Sequence, residues 1–177
     1  MNRTAEGLIF RVRSVHADDI ISDGNECVVW GECGVPPDSM RNEIWWVPEL
    51  SPDTELMNWY SRHPDRWYEF RRRYLDQLSA EKETCEQLRT SACQRLLTLI
   101  YQQGTSARNM AAVIEEHLIQ LESQQRWNAG LMIGGHTTPV KSQIVALGGL
   151  WFTKHKTWVM PDEQSWRAII NLLPGDF

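Results

Sequence analysis

The sequence lacks most of the features that assign a chemistry at sight. It contains no P-loop, dinucleotide-binding glycine pattern, nucleophile-elbow serine or paired-histidine zinc motif, so the commonest nucleotide, hydride, acyl-transfer and metalloprotease signatures drop out. No apolar run approaches the roughly 18–20 residues that cross a bilayer. The opening MNRTAEGLIFRVRSV has no unbroken apolar stretch of the secretory kind, because Arg11 and Arg13 interrupt it. The expectation is a cytoplasmic protein without a membrane partner. Cysteine is sparse: five residues lie between Cys27 and Cys33 and seven between Cys85 and Cys93, neither being the tight C-x-x-C of zinc or thioredoxin-type sites. Reduced thiols are expected, with no metal and no cofactor. Repeats and low-complexity segments are also missing.

What is present is an ordinary globular composition, 42% hydrophobic and 23% charged over 177 residues, enough to bury a core without staples. The net charge of −5 is uneven. Residues 1–60 hold 11 acidic and four basic side chains, whereas residues 126–177 hold five basic and three acidic. An acidic N-terminal surface disfavours non-specific nucleic-acid binding and suits a basic partner; a solvated face that aids solubility has the same composition. Nine tryptophans are many, and two of them are adjacent, Trp45 and Trp46.

Strand and helix signals alternate along the chain. Residues 8–15 and 26–30 read as strands, separated by a connection ending in the turn Asp23-Gly24. Residues 31–40, with two glycines and two prolines, cannot be regular. Ser51 and Pro52 look like the cap and first position of a short helix ending near Ser61. Trp67, Phe70, Tyr74 and Leu78 recur at three- and four-residue steps and predict one apolar helix face, with Arg66, Arg71, Arg72 and Arg73 on its flanks. A third helix covers about residues 80–90. LLTLIY (96–101) reads as a strand covered on both faces. Met110, Val113, Ile114, His117, Leu118 and Leu121 define another amphipathic helix. Residues 122–138 read as a boundary. Beyond them come a short helix over 139–147, a hairpin about residues 153–156 and a closing helix over 161–173. The fold class expected is α/β, a small mainly parallel sheet flanked by helices, plus a C-terminal helix-hairpin-helix appendage. The domains expected are 1–125 and 126–177.

Four segments carry a resemblance: Asp23-Gly24, SPDTELMNWY (51–60), HPDRWYEFRRRYLDQL (63–78), and LLTLIY (96–101) followed by Asn109. In this order and spacing, residues 8–121 resemble a bacterial family of uncharacterised proteins typified by YeaO, the domain of unknown function 488. The resemblance implies an Asp-Arg-Leu-Trp-Pro-Arg-Gly segment after the second strand, whose two arginines look like an anion site. Here that stretch is Trp30-Gly31-Glu32-Cys33-Gly34-Val35-Pro36, with both arginines absent and an acid in the loop. The family's histidine after the asparagine is Met110. Residues 139–173 resemble a small module attached to DNA-processing proteins, such as the HARP domain of annealing helicases.

Three sets of candidate site residues follow. Trp45, Trp46, Glu43 and Glu49 suit a protein interface, since tryptophan is a typical anchor; core packing would equally use the indoles. Trp151, Lys154, His155, Lys156 and Trp158 combine aromatic faces with cations, as single-stranded nucleic-acid sites do, or else form the core of a tiny hairpin. His16, Asp18 and Asn109 are a polar set near strand ends, where α/β ligand sites form. His117 on an apolar face reads as a core histidine. The functional expectation is a non-catalytic interaction protein that regulates a nucleic-acid-handling partner, a nuclease or helicase, in the manner of inhibitors of defence nucleases carried by mobile elements. Two alternatives stand beside it, an enzyme acting on a nucleotide or nucleic acid and a small single-stranded nucleic-acid-binding protein. A homodimer is open as well.

Overall fold

In a computed structural model, residues 9–20 and 24–173 are described. Asp23, singled out above, lies outside them. The chain divides into two compact units, residues 11–118 and residues 119–177, with residues 9 and 10 counted in the second.

The first unit is built on a four-stranded, wholly parallel sheet. Its strands are β1 (Val12–His16), β2 (Cys27–Trp30), β3 (Trp45–Trp46) and β4 (Leu97–Tyr101), in the order β1-β4-β2-β3. The apolar run of β4 explains its interior place: all five residues are buried, as a strand covered on both faces requires. Around the sheet are α1 (Thr54–Arg62), α2 (Trp67–Leu78), α3 (Lys82–Gln94) and the start of α4 (Met110–Asn128). The predicted apolar face of α2 is the buried one, Trp67, Phe70, Tyr74 and Leu78. The Tyr74 hydroxyl, wholly inside, donates to the Leu50 carbonyl at 2.5 Å. The arginines on its flanks are all engaged. Arg66 pairs with Glu69, Arg71 with Glu116 and Arg72 with Asp76, while Arg73 lies 4.8 Å from the Trp59 ring.

A polar group also ties this sheet together, with its carboxylate and hydroxyl inside and its guanidinium exposed. Arg13 on β1 reaches Glu26 just before β2 at 3.0 Å and donates through Nε to Thr98 Oγ1 on β4 at 3.1 Å. The Thr98 hydroxyl in turn donates to Glu26. Thr98 is fully buried and Glu26 nearly so. Each acceptor and donor is therefore matched, as burial of charge demands.

Two expectations need correction, and one pair of residues with no predicted element gains one. The cap of α1 is Asp53, whose carboxylate accepts from Leu56 N–H at 2.7 Å, so Ser51 and Pro52 precede the helix. A carboxylate beside the positive helix end outcompetes a hydroxyl two residues earlier. The Trp45–Trp46 pair is a strand, β3, paired with Val29 and Trp30. Residues 122–128 continue α4 instead of forming a loop. Their polarity is deceptive, because Glu122 and Arg126 sit one turn apart as a buried ion pair at 2.9 Å.

The second unit has a three-stranded antiparallel sheet in the order β5-β7-β6. Its strands are β5 (Met132–Ile133), β6 (Leu150–Phe152) and β7 (Thr157–Val159). With them stand α5 (Lys141–Ala146) and α6 (Glu163–Ile170). Gly148, at φ 78°, ends α5 in the left-handed conformation that glycine adopts without strain. Asp162 caps α6 by accepting from Ser165 N–H at 2.7 Å. Ile133, Val140, Ile144, Met160 and Ile169 form its core. Strand β5 is too short to leave a periodic signal in the sequence.

Candidate functional site

Strands β2 and β4 run parallel, so the loops leaving them emerge at the same end of the sheet. Ligand sites of α/β proteins form at that end. After β2 comes Gly31, and after β4 comes Gln102. Gly31 N–H donates to Ile100 O at 2.9 Å. A Cβ on Gly31 would stand 2.7 Å from Ala111 Cβ, so only glycine lets the first turn of α4 approach this closely.

Glu32 follows. Its Oε1 accepts from the backbone N–H of Gln103 at 2.7 Å. A carboxylate thus occupies a main-chain donor of the loop after β4. An anion approaching this end meets its negative charge.

Around Glu32 opens a cavity of about 340 Å³. Met57 and Tyr60 from α1, Trp67 and Phe70 from α2, and Arg108 and Met110 near the start of α4 are among its lining residues. The rings form a continuous group: Tyr60 stacks on Phe70 with centroids 4.3 Å apart, and Trp67 lies 5.5 Å from Phe70. The guanidinium of Arg108 lies 5.8 Å from the Tyr68 ring.

The polar set predicted near strand ends is only partly assembled. His16 ends β1 and pairs with Tyr101, whose ring meets its own edge-on at 5.4 Å. His16 Nδ1 accepts from Asp18 N–H at 3.2 Å, and Nε2 lies 3.2 Å from Gln102 O. This arrangement fits a neutral ring with the proton on Nε2, and both nitrogens are then in use. The Asp18 carboxylate is 3.6 Å from Nδ1 and almost fully exposed. Asn109 does line the cavity, but its side chain is consumed locally. Oδ1 accepts from Ala112 N–H at 2.7 Å, and Nδ2 donates to Thr105 O at 2.8 Å. It is the cap of α4. His16 and Asp18 are not among the residues lining that cavity.

His117 is buried on α4, and burial holds its pKa below the ordinary value. Glu115 is shifted upward by burial, which outweighs the hydrogen bond from Ser14 Oγ at 2.7 Å. Among the described residues no group of three or more cysteine, histidine or acidic side chains could hold a metal ion.

The sheet edge is the second feature. Trp45 and Trp46 are 37% and 42% exposed on β3, the last strand of the order. Glu43 and Glu49 flank them and are exposed. Trp45 also lines an open groove of about 590 Å³ with Glu83, Glu86, Gln87 and other residues of α3. Arg89 donates to Glu86 and lowers its carboxyl pKa.

In the second unit, Trp151 is 43% exposed while its neighbour Phe152 is buried, as strand alternation dictates. Trp151 meets Trp158 edge-on at 5.4 Å. Trp158 is half-buried and packs on the core. His155 stacks flat on Trp127 with centroids 4.0 Å apart, and Lys154 Nζ reaches Gln124 Oε1 at 3.3 Å. Lys156 holds the turn at φ 50°. Of the aromatic residues predicted here, Trp151 is the one that presents an open face.

The sequence marks Glu32 as a departure and Asn109 as one of a polar set, but not the cavity between them. Tyr60, Trp67 and Phe70 read only as core, and Arg108 carried no pattern. Gly31 and Gly104 could have marked a close approach of backbones. A Cβ at Gly104, which sits at φ 95°, would collide with Arg108 O.

No solved structure matches the chain. Among curated proteins it is similar to an uncharacterised protein of Mycobacterium bovis, 32% identical over 111 residues that cover 61% of this chain and 92% of the relative. It matches an uncharacterised protein of Mycobacterium tuberculosis to the same extent. Residues 13–132 match the family described as the inactive DUF488-N3 subclade. That span holds the parallel sheet but for Val12, and the Glu32 loop, and the chain belongs to the inactive subclade of DUF488-N3.

Proposed function

We propose that this chain is a non-catalytic interaction protein that docks a protein partner along the open edge of its parallel sheet. The observation that carries the reading is the pair Trp45 and Trp46, two adjacent indoles left more than a third exposed on the edge strand. Indole surface of this kind is the usual anchor of an interface. An edge strand also offers unpaired main-chain groups to an extended segment from outside. Glu43, Glu49 and Glu83 set the sign of the complement, a basic segment. A nuclease or helicase, whose nucleic-acid surface is basic, has that chemistry, and an inhibitor carried by a mobile element is one form such a protein takes.

Two further points support the absence of catalysis. The family is described as inactive, and Glu32 places a carboxylate in the loop after β2, where the resemblance implies an arginine-bearing segment. The test is affinity capture from host extract with and without nuclease treatment, comparing wild type with Trp45→Ala/Trp46→Ala. A stoichiometric protein that survives nuclease and is lost in the double variant is expected. Capture unchanged by the double variant would refute the sheet-edge reading.

The open face of Trp151 beside the turn Lys154–Lys156 favours a second reading, contact with single-stranded nucleic acid. Recovery of nucleic acid alone, lost on Trp151→Ala, is the outcome that would select it.

A further inference from the structure

The cavity beside Glu32 has walls, charge and room that the sheet-edge reading does not use. We propose that it is a binding site for a free α-amino acid with an aromatic side chain, its ammonium held by Glu32 and its carboxylate by Arg108. This inference is independent of the sheet edge, and it implies no reaction.

The argument begins with the two charges. Glu32 Oε1 is engaged by Gln103 N–H, whereas Oε2 has no protein partner among the described residues. A carboxylate accepts at both oxygens, so half of its capacity faces the cavity. Arg108 lines the same cavity and has no carboxylate partner among the described residues. Its guanidinium only leans on the exposed ring of Tyr68, a weak contact where water competes. An anion without a cationic partner and a cation without an anionic one, lining one cavity, call for a ligand that carries both signs.

The remaining wall selects what lies between and beyond them. Tyr60 presents a half-buried ring backed by the buried rings of Trp67 and Phe70, and Met57 and Met110, half-buried as well, bring thioethers. Thioethers adapt to irregular shapes and attract aromatic rings. A volume of about 340 Å³ lies at the small end of the range for small-molecule sites. A single amino acid with one ring suits it. An anionic ligand of the kind two arginines would hold is disfavoured, because it would meet the Glu32 carboxylate.

The test is titration calorimetry of the full chain with three probes: phenylalanine, phenylalaninamide and N-acetylphenylalanine. These carry both charges, the cation alone and the anion alone. Phenylalanine is expected to bind, and N-acetylphenylalanine at least tenfold more weakly. Glu32→Gln keeps an oxygen for Gln103 N–H and removes the charge, so it should weaken phenylalanine and phenylalaninamide alike, by tenfold or more. Arg108→Ala should weaken phenylalanine severalfold and leave phenylalaninamide unchanged. Absence of binding by folded wild type, tightest binding of the acetylated probe, or indifference to Glu32→Gln would each overturn the proposal. Far-ultraviolet circular dichroism of each variant separates loss of binding from loss of fold.

Discussion

Replacing Tyr74 by Phe deletes one oxygen from the centre of the first unit and leaves the ring in place. The Tyr74 hydroxyl donates to Leu50 O from a position that is 1% exposed. The substitution strands a buried carbonyl, and such a loss costs about 1–3 kcal/mol. With a urea dependence of roughly 2 kcal/mol per molar, the midpoint should fall by about 0.5–1.5 M at neutral pH. The same residue supplies an independent check at alkaline pH. Burial drives the Tyr74 pKa well above its ordinary value of 10.0. In the unfolded chain the phenol ionises near pH 10, while in the folded chain it keeps its proton. The folded state then holds more protons, so stability falls as pH rises above the unfolded value. One unit above pH 10 this contribution removes about 1.4 kcal/mol from wild type. The Phe variant has no such group, and the gap between the two proteins should narrow by about 1 kcal/mol between pH 10 and 11. Urea unfolding at pH 7, 10 and 11, followed by tryptophan fluorescence, reads both effects. Equal midpoints at pH 7, or a gap that does not narrow with pH, would refute the assignment of Tyr74 as a buried donor.

Two further outcomes follow from buried groups. Burial holds the folded pKa of His117 below its ordinary value of 6.5; its contribution to stability is complete above pH 6.5 and is lost as pH falls below it, so His117→Leu should flatten the stability profile on that acid side in urea unfolding series. Among the thiols, Cys33 is exposed, whereas Cys27 and Cys85 are buried, with burial raising both and pushing Cys85 up to about 11; a disulfide reagent should modify Cys33 first in the native protein, and Cys33→Ser should abolish that fastest phase in a kinetic assay of thiol release.

The parts of the fold legible in the sequence are those set by local pattern. The unbroken apolar run of β4 announces a strand covered on both faces, and the three- and four-residue steps from Trp67 to Leu78 announce the inner face of α2. What escaped depends on partners distant in the chain. Trp45 and Trp46 become a strand because Val29 and Trp30 lie beside them, and a parallel pairing of two residues leaves no mark on composition. Residues 122–128 look like a loop until Glu122 and Arg126 are seen paired inside. At the cavity, the replacement at Glu32 was readable only against related sequences. Its engagement of Gln103 N–H joins residues 71 positions apart, and the role of Arg108 depends on the same loop closure.

The triad of Arg13, Glu26 and Thr98 has a consequence for how the sheet is assembled. Parallel strands are brought together from separate parts of the chain, with no tight turn to dictate which residue meets which. A one-residue slide would turn every side chain over, but a two-residue slide of β4 would keep its faces and replace one aliphatic residue with another. Thr98 breaks that degeneracy. It stands opposite Arg13 on one side and Val28 on the other, and its hydroxyl is the bridge between guanidinium and carboxylate. Sliding β4 by two would present Leu96 or Ile100 at that point, leaving a carboxylate in the interior short of a donor. The polar group acts as an alignment mark, telling three strands from distant parts of the chain when they have stopped in the right place.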